Sequence, residues 1–308
     1  MNHILCCIND AYAQHCGVLL ASLFENNRDL KFHVHIFSFC LNTASKENLS
    51  SVATSYHQTL SIQVIDKPDF ELPNLDGHYI SAETYIRLFV PQYIDSSIDK
   101  ILYLDVDMVV VESVKELLDV DLKDNLVGAI MDSPMQGRNN RLEIPEKYGY
   151  FNAGLLLINL RKWREENFTE KCIDYICNKA SVIVQHDQDV LNALAYNQWL
   201  RIPFKWNMLN TFFLFPPRIN VELANEVKEC KKDVRIAHFT GTVKPWTAWT
   251  RHPYGGLYYK YIKHTPWRGY RPSLSVQWKA YRFPKNLLAI LGISNIVNLL
   301  IEHIRKRR

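Results

Sequence analysis

The chain is 308 residues long, enough for one large α/β domain or two ordinary ones, and its 47% hydrophobic and 22% charged residues are an ordinary globular mixture. Its net charge of +4 is unevenly placed: from Arg268 onward there are nine Lys/Arg and one acid, so a mildly acidic body carries a strongly basic tail. Seven scattered cysteines without a CxxC pair argue against a disulfide framework or a zinc site and point to a reducing compartment.

The opening MNHILCCIND lacks the basic n-region and long apolar core of a signal peptide, and no apolar run reaches the length of a membrane span. HILCCI (3–8) reads as a strand, followed by a helical pattern around Val18–Glu25. FHVHIF (32–37) precedes a helix over Lys46–Ala53, and LSIQVI (60–65) follows it. A further helix is expected across Glu83–Phe89, then a strand over KILYLDVD (100–107). This alternation predicts an α/β fold with a mostly parallel sheet covered on both faces and ligands held beyond the carboxyl ends of its strands. Asn9-Asp10 close the first strand and Asp105-Val106-Asp107 the fourth, so both acidic stretches should open on one edge. Next come LVGAIMDS (126–133), a polar loop through Arg141, the apolar GYFNAGLLLINL (149–160) and helical segments to about Asn197. After an irregular region, a last strand VRIAHFT (234–240) runs into GTVKPW (241–246), and near Pro266 acids nearly vanish.

The informative stretch is YLDVDMVVVE (103–112), where two carboxylates interrupt an apolar run. Ionised acids there are costly unless something positive meets them. In a strand Asp105 and Asp107 share a face, about 7 Å apart at the backbone, which suits a divalent cation. Three readings compete: a cation bound to a nucleotide diphosphate, the nucleophilic DxD of a haloacid-dehalogenase-type phosphatase, and a pair of solvated turn acids. The phosphatase motif normally ends an early strand, whereas about a hundred residues of α/β pattern precede this one. A strand histidine such as His238 is by itself more often a core residue than a ligand. With two acids requiring a cation, it becomes a natural third ligand, and GTVKPW adds a flexible Gly241 and the cationic Lys244 for a phosphate. Asn152 in FNAG reads either as a sugar contact or as a strand-start turn residue, and Asp187-Gln188 in QHDQDVLNALA reads first as a helix cap.

In combination these stretches resemble glycosyltransferase family 8, and within it the bacterial lipopolysaccharide α-galactosyl- and α-glucosyltransferases. The resemblance runs in order through INDAYAQHCGVLLASL (8–23), ISAETYIRLFVP (80–91), DKILYLDVDMVV (99–110), YFNAGLLLINLRKW (150–163), HDQDVLN (186–192) and AHFTGTVKPW (237–246). It implies a Rossmann-like fold of the GT-A type over residues 1–265, binding UDP-galactose or UDP-glucose with Mn²⁺ or, alternatively, Mg²⁺. Carried over residue by residue, it makes Asp105, Asp107 and His238 the metal ligands. Asn9 and Tyr12 would touch the nucleoside, with Asp10 beside them. Val106, Gly241 and Lys244 would line the diphosphate, while Arg87, Asn152, Asp187 and Gln188 would surround the donor sugar. Asp132, Thr211 and Tyr79 match positions near an oligosaccharide or glycolipid acceptor. Two positions depart from close relatives: Asn9 stands where they carry Asp, and Tyr79 where one has His.

The implied activity is retaining hexosyl transfer by a front-face route, because Gln188 occupies the place of a nucleophile and an amide is a poor one. A phosphatase and a catalytically silent UDP-sugar-binding protein are the alternatives. In the tail, NLLAILGISNIVNLLIEHI (286–304) has apolar residues near helical spacing and is followed by RKRR. Residues 266–308 therefore read as an amphipathic segment lying on an anionic membrane surface, the inner membrane's cytoplasmic face, or else packed on the body. No nucleic-acid-binding fold accompanies the basic tail.

Overall fold

A computed structural model describes residues 1–73, 82–214, 218–247 and 252–271. A seven-stranded sheet forms its centre. The strands are β1 (Asn2–Cys7), β2 (Phe32–Ser38), β3 (Thr59–Val64), β4 (Lys100–Leu104), β6 (Val127–Ala129), β7 (Leu155–Asn159) and β8 (Trp199–Arg201), in the order β3-β2-β1-β4-β7-β6-β8. Only β7 runs against its neighbours β4 and β6; the other pairings are parallel. A second sheet of three short strands, β5 (Met108–Val110), β10 (Ile236–His238) and β9 (Met208–Leu209), stands beside it.

The alternation in β1 places Ile4 and Cys6 in one apolar layer and Leu5 in the other, so the central sheet has a core on each face. Helix α1 (Ala13–Glu25) is buried along nearly its whole length in the first layer, which explains why its sequence is apolar on more than one side. Its Ser22 hydroxyl accepts the Val110 N–H at 2.9 Å, tying the helix to β5. Helix α2 (Thr43–Ser55) starts at an Asn42 cap whose side chain accepts the Ser45 N–H. Segment 83–89, expected as a helix, is the 3-10 helix Ala82–Leu88.

One expectation needs correcting. The run 100–107 is not a single strand: β4 stops at Leu104 and β5 begins at Met108, so Asp105-Val106-Asp107 forms the turn that carries the chain from one sheet to the other. Two competing partners cause the break. The Asp105 N–H donates to Gly154 O at 2.7 Å on the central-sheet side, while Asp107 O accepts the Phe239 N–H at 2.9 Å on the second-sheet side.

At the opposite, amino-terminal end of the parallel strands, His3, His33 and His35 gather. His3 Nδ1 and His35 Nε2 lie 3.0 Å apart, and His33 contacts Thr59 Oγ1 and Ser61 Oγ. Burial, reinforced by the neighbouring imidazoles, lowers His35 to about 4, and burial also lowers His3 and His33. The folded chain therefore binds fewer protons than the unfolded chain below the ordinary histidine value of about 6.5, so this contribution is complete above it and is lost as pH falls towards 4. The expected result is a Tm that drops between pH 7 and pH 5 and drops less in His35→Gln, read by thermal melts; parallel curves for both proteins would remove the cluster from the account.

Candidate active site

The carboxyl ends of the parallel strands, together with the edge of the second sheet, enclose a cleft of about 430 Å³, a volume suited to a nucleotide-sized ligand. Asn9 at the end of β1 and Asp105, Val106 and Asp107 after β4 line it together, as the strand order requires. Tyr12, Arg87, Asp132, Asn152, Asp187, Gln188, Thr211, His238, Gly241 and Lys244 also line it. Two expected residues fall elsewhere. The Asp10 carboxylate accepts the Asn42 N–H at 2.9 Å and is not among the lining residues, and Tyr79 lies outside the described residues.

Asp105, Asp107 and His238 bring one ligand atom each to within 4.8 Å of one another. His238 reaches the turn from β10: its Nε2 is 3.1 Å from Asp107 Oδ1 and 3.9 Å from Asp105 Oδ2. The tautomer is fixed from behind. Asn207 donates its amide N–H to Asn152 Oδ1 at 2.9 Å, so its Oδ1 faces His238 Nδ1 at 2.8 Å and accepts its proton. Nε2 then keeps its lone pair for the side of the acids. Two carboxylates and a neutral imidazole suit Mn²⁺ or Mg²⁺, and the backbone is shaped to let them converge. A Cβ on Gly154 would stand 2.3 Å from His238 Cε1 and 2.9 Å from Asp105 Oδ2. The donor set thus fits a hard divalent cation.

Positive charge surrounds the acids. The Lys244 ammonium donates to an Asp107 carboxylate oxygen and to Phe239 O, the latter at 2.7 Å. Burial alone would push the Asp107 carboxyl upward, but the Lys244 ammonium beside it holds it well below the usual carboxylate range. Arg87 is buried, stacks on the Tyr103 ring and donates to Asp105 Oδ1 at 3.0 Å and Ala153 O at 2.6 Å. The Tyr103 hydroxyl donates to the same Asp105 oxygen at 2.6 Å. Gly241, with φ +81°, adopts a left-handed turn that a larger residue would strain.

The donor-sugar side differs from the simplest sequence reading. Asp187 is not a helix cap: it sits inside the first turn of the helix His186–Ala195 and pairs with Arg87 Nε at 3.0 Å. Burial raises it to about 6 against the pull of Arg87. Asp189 ties down the helix start instead, one oxygen accepting the N–H groups of Val184 and Gln185 at 2.7 Å. Gln188 is pinned at both ends of its amide. Its oxygen accepts Ala153 N–H at 2.9 Å and the Asn152 amide at 3.3 Å, and its nitrogen donates to Asp132 Oδ2 at 3.0 Å. Thr211 meets the Ser133 hydroxyl at 2.6 Å on the far rim.

Asn207, Tyr103 and Asp189 escaped the sequence reading. Asn207 and Asp189 act through His238 and Tyr150, 31 and 39 positions away, while Tyr103, two residues before Asp105, reads in the sequence as one more apolar strand residue.

Comparison with known proteins agrees with this arrangement. The model for Glycosyl transferase family 8 matches residues 3–250. General stress protein A of Bacillus subtilis is 29% identical over 86% of this chain and 94% of its own. A lipopolysaccharide 1,2-glucosyltransferase of Escherichia coli is 30% identical over 85% of this chain and 78% of its own, and a lipopolysaccharide 1,3-galactosyltransferase of Salmonella typhimurium 28% identical over 82% and 75%. The crystal structure of the galactosyltransferase LgtC with donor and acceptor sugar analogs superimposes with a TM-score of 0.79 at 25% identity, covering 91% of this chain and 99% of that one. Neither a phosphatase nor a silent sugar-binding protein is favoured by these matches. With a family model spanning most of its length and an Asp-Asp-His group at the mouth of its sheet, the chain belongs to glycosyl transferase family 8 and is a hexosyltransferase.

Proposed function

We propose that the protein transfers galactose or glucose, with retention at the anomeric carbon, from a UDP-sugar to a saccharide acceptor of the lipopolysaccharide or lipooligosaccharide type. The convergence of Asp105, Asp107 and His238 beside Lys244 supports this reading most directly. Bound there, Mn²⁺ or Mg²⁺ supplies Lewis acidity towards the departing diphosphate. Lys244 adds fixed positive charge where that diphosphate gathers charge, and Gly241 lets the backbone approach it. Asn9 and Tyr12 receive the nucleoside. Arg87 locks Asp105 and Asp187 in place, so that neither has to reorganise during transfer.

The carboxylates near the sugar are poorly disposed for covalent attack. Asp187 is buried against Arg87, and Asp132 is engaged by Arg138 and Gln188. Gln188 presents only an amide. A front-face route, in which a diphosphate oxygen takes the acceptor proton, needs no protein nucleophile and suits this arrangement.

Among the described residues no helix is long and apolar enough to cross a membrane. The start of the tail is docked on the body: the Trp267 ring packs over Gly17, and the Tyr270 hydroxyl donates to Trp246 O at 3.1 Å. The amphipathic stretch 286–304 lies outside the described residues. We place it on the anionic cytoplasmic face of the inner membrane, because seven Lys/Arg and one acid follow Arg271.

One assay tests both parts. UDP-glucose and UDP-galactose are incubated with Mn²⁺, the full chain and a chain ending at Arg271, with and without anionic vesicles. The reading expects slow hydrolysis of one donor by both proteins, and vesicle binding, weakened by salt, by the full chain alone. No hydrolysis of either donor would sink the UDP-hexose assignment; equal vesicle binding by both proteins would remove the membrane role.

A further inference from the structure

The polar loop between β6 and β7 contributes more than Asp132. It contains the short helix Arg138–Arg141; Arg141 reaches the segment that carries Asp187 and Gln188 directly, at Asp189, and Arg138 reaches Gln188 through Asp132. Arg138 is only 5% exposed, with its guanidinium 3.5 Å from the Tyr150 ring centre. It donates to Asp132 Oδ2 at 3.2 Å and to Ser133 O at 3.0 Å. That same carboxylate oxygen accepts the Gln188 amide nitrogen at 3.0 Å. Beneath it, the Tyr150 hydroxyl donates to Asp189 Oδ1 at 2.7 Å, and Arg141 donates to Asp189 Oδ2 at 2.9 Å. The helix His186–Ala195 begins at His186, whose φ of +52° is unfavourable for a non-glycine residue, so its start requires holding from outside.

We infer that Arg138 is a positioning residue for hexosyl transfer: through Asp132 it fixes which way the Gln188 carboxamide faces the sugar. The chemistry requires such a device. An amide rotated by half a turn exchanges an acceptor for a donor, and the nearby Ala153 N–H and Asn152 amide both need the oxygen. Without the cation, the Asp132 carboxylate is still held at Oδ1 by the Ser133 N–H at 2.8 Å and, more distantly, by the Asn152 amide at 3.5 Å. Its Oδ2, however, loses the arginine that fixes its position, and the Gln188 nitrogen loses a firmly placed acceptor. Arg138 is suited to this because its planar fork serves the Asp132 carboxylate and the Ser133 carbonyl together, which a single ammonium cannot do in the same geometry. Its place is distinct from the metal group and from Lys244, so donor affinity should be insulated from it.

The inference rests on the hexosyl-transfer reading, and the test separates the two. Arg138→Met, Arg138→Lys, Gln188→Ala and the Arg138→Met/Gln188→Ala double variant are compared with the wild-type chain. Turnover is measured with Mn²⁺ and whichever of UDP-glucose and UDP-galactose the wild type consumes, and affinity with UDP and Mn²⁺. Arg138→Met should lower kcat about 10- to 100-fold with UDP affinity within about twofold of wild type, the scale of loss expected from a displaced reacting group. Arg138→Lys should recover part of the loss. The double variant should be no slower than the slower single variant, because both act on one group.

A readout independent of turnover accompanies the rates. The Gln188 side-chain NH₂ pair in nitrogen–proton NMR, identified by its absence in Gln188→Ala, should be split and protected from exchange in the wild type, and should collapse towards free-amide positions in Arg138→Met. An unchanged pair, additive losses in the double variant, or parallel losses of UDP affinity and kcat would each overturn the inference. If the wild type consumes neither donor, the UDP-hexose reading fails while the NMR result still decides the role of Arg138.

Discussion

Asp107→Asn and His238→Ala should each lower metal-dependent transfer by roughly three orders of magnitude, the upper end of what one preorganised electrostatic group contributes. The reason lies in the number of donors. Asp105, Asp107 and His238 give three ligand atoms from protein, and a cation held by two remaining donors would be bound weakly and displaced from the diphosphate. Asp105→Asn belongs to the same class, with the added effect of loosening Arg87, which that carboxylate holds. The fold should survive these substitutions, because all three residues line the cleft at the sheet edge, outside both apolar layers. Asn at 107 still offers an oxygen to Lys244, so the ammonium is not left wholly unpaired. Thermal melts give a second reading. Mn²⁺ that binds the folded chain alone should raise the wild-type Tm; at a hundredfold excess over Kd the expected gain is about 2.7 kcal/mol. That increment should vanish in Asp107→Asn and His238→Ala. Wild-type rates from Asp107→Asn in the presence of chelator would show that the acids have another role.

The parts of this site that were legible in the sequence are those whose chemistry is unusual for their setting. Two acids inside YLDVDMVVVE are anomalous wherever that stretch lies, so Asp105 and Asp107 stood out even though the strand they were assigned to turns out to be a turn between two sheets. The strand ends placed Asn9 and Asp105 on one edge because parallel topology leaves no other choice, and the cleft confirms it. What stayed hidden is the supporting set. Asn207 is an unremarkable amide in an irregular stretch, yet it decides the tautomer of His238. Asp187 resembled a cap because a cap is the ordinary use of Asp at a helix start; burial against Arg87, which comes from a segment a hundred residues earlier, gave it a different task. Such residues carry meaning only through partners distant in the chain, and no local period or spacing records those partners.

Gly154→Ala is the second large effect, and a single methyl group produces it. A strand-start glycine between a small residue and LLLIN would ordinarily tolerate alanine, since its φ lies outside the left-handed region and no turn demands it. Its backbone contacts are also indifferent to a side chain: Gly154 O accepts the Asp105 N–H, and its own N–H donates to Asn152 Oδ1 at 3.1 Å. The obstruction lies in front. The added carbon would stand 2.3 Å from His238 Cε1, 3.0 Å from His238 Nδ1 and 2.9 Å from Asp105 Oδ2. His238 cannot retreat easily, being 3% exposed and held by Asn207 from behind. Asp105 can rotate only by giving up Arg87 and Tyr103, which both hold its other oxygen. Either movement separates two metal ligands by more than a divalent cation tolerates, so Mn²⁺ affinity and transfer should both fall by at least about 100-fold, the cost of a misplacement near 1 Å. Because the methyl group fills space at the cleft and leaves the apolar layers intact, Tm without metal should stay within a few degrees of wild type. Calorimetric Mn²⁺ titration alongside melts separates the two quantities. Wild-type Mn²⁺ affinity in Gly154→Ala would show that Asp105 and His238 do not close on the same ion.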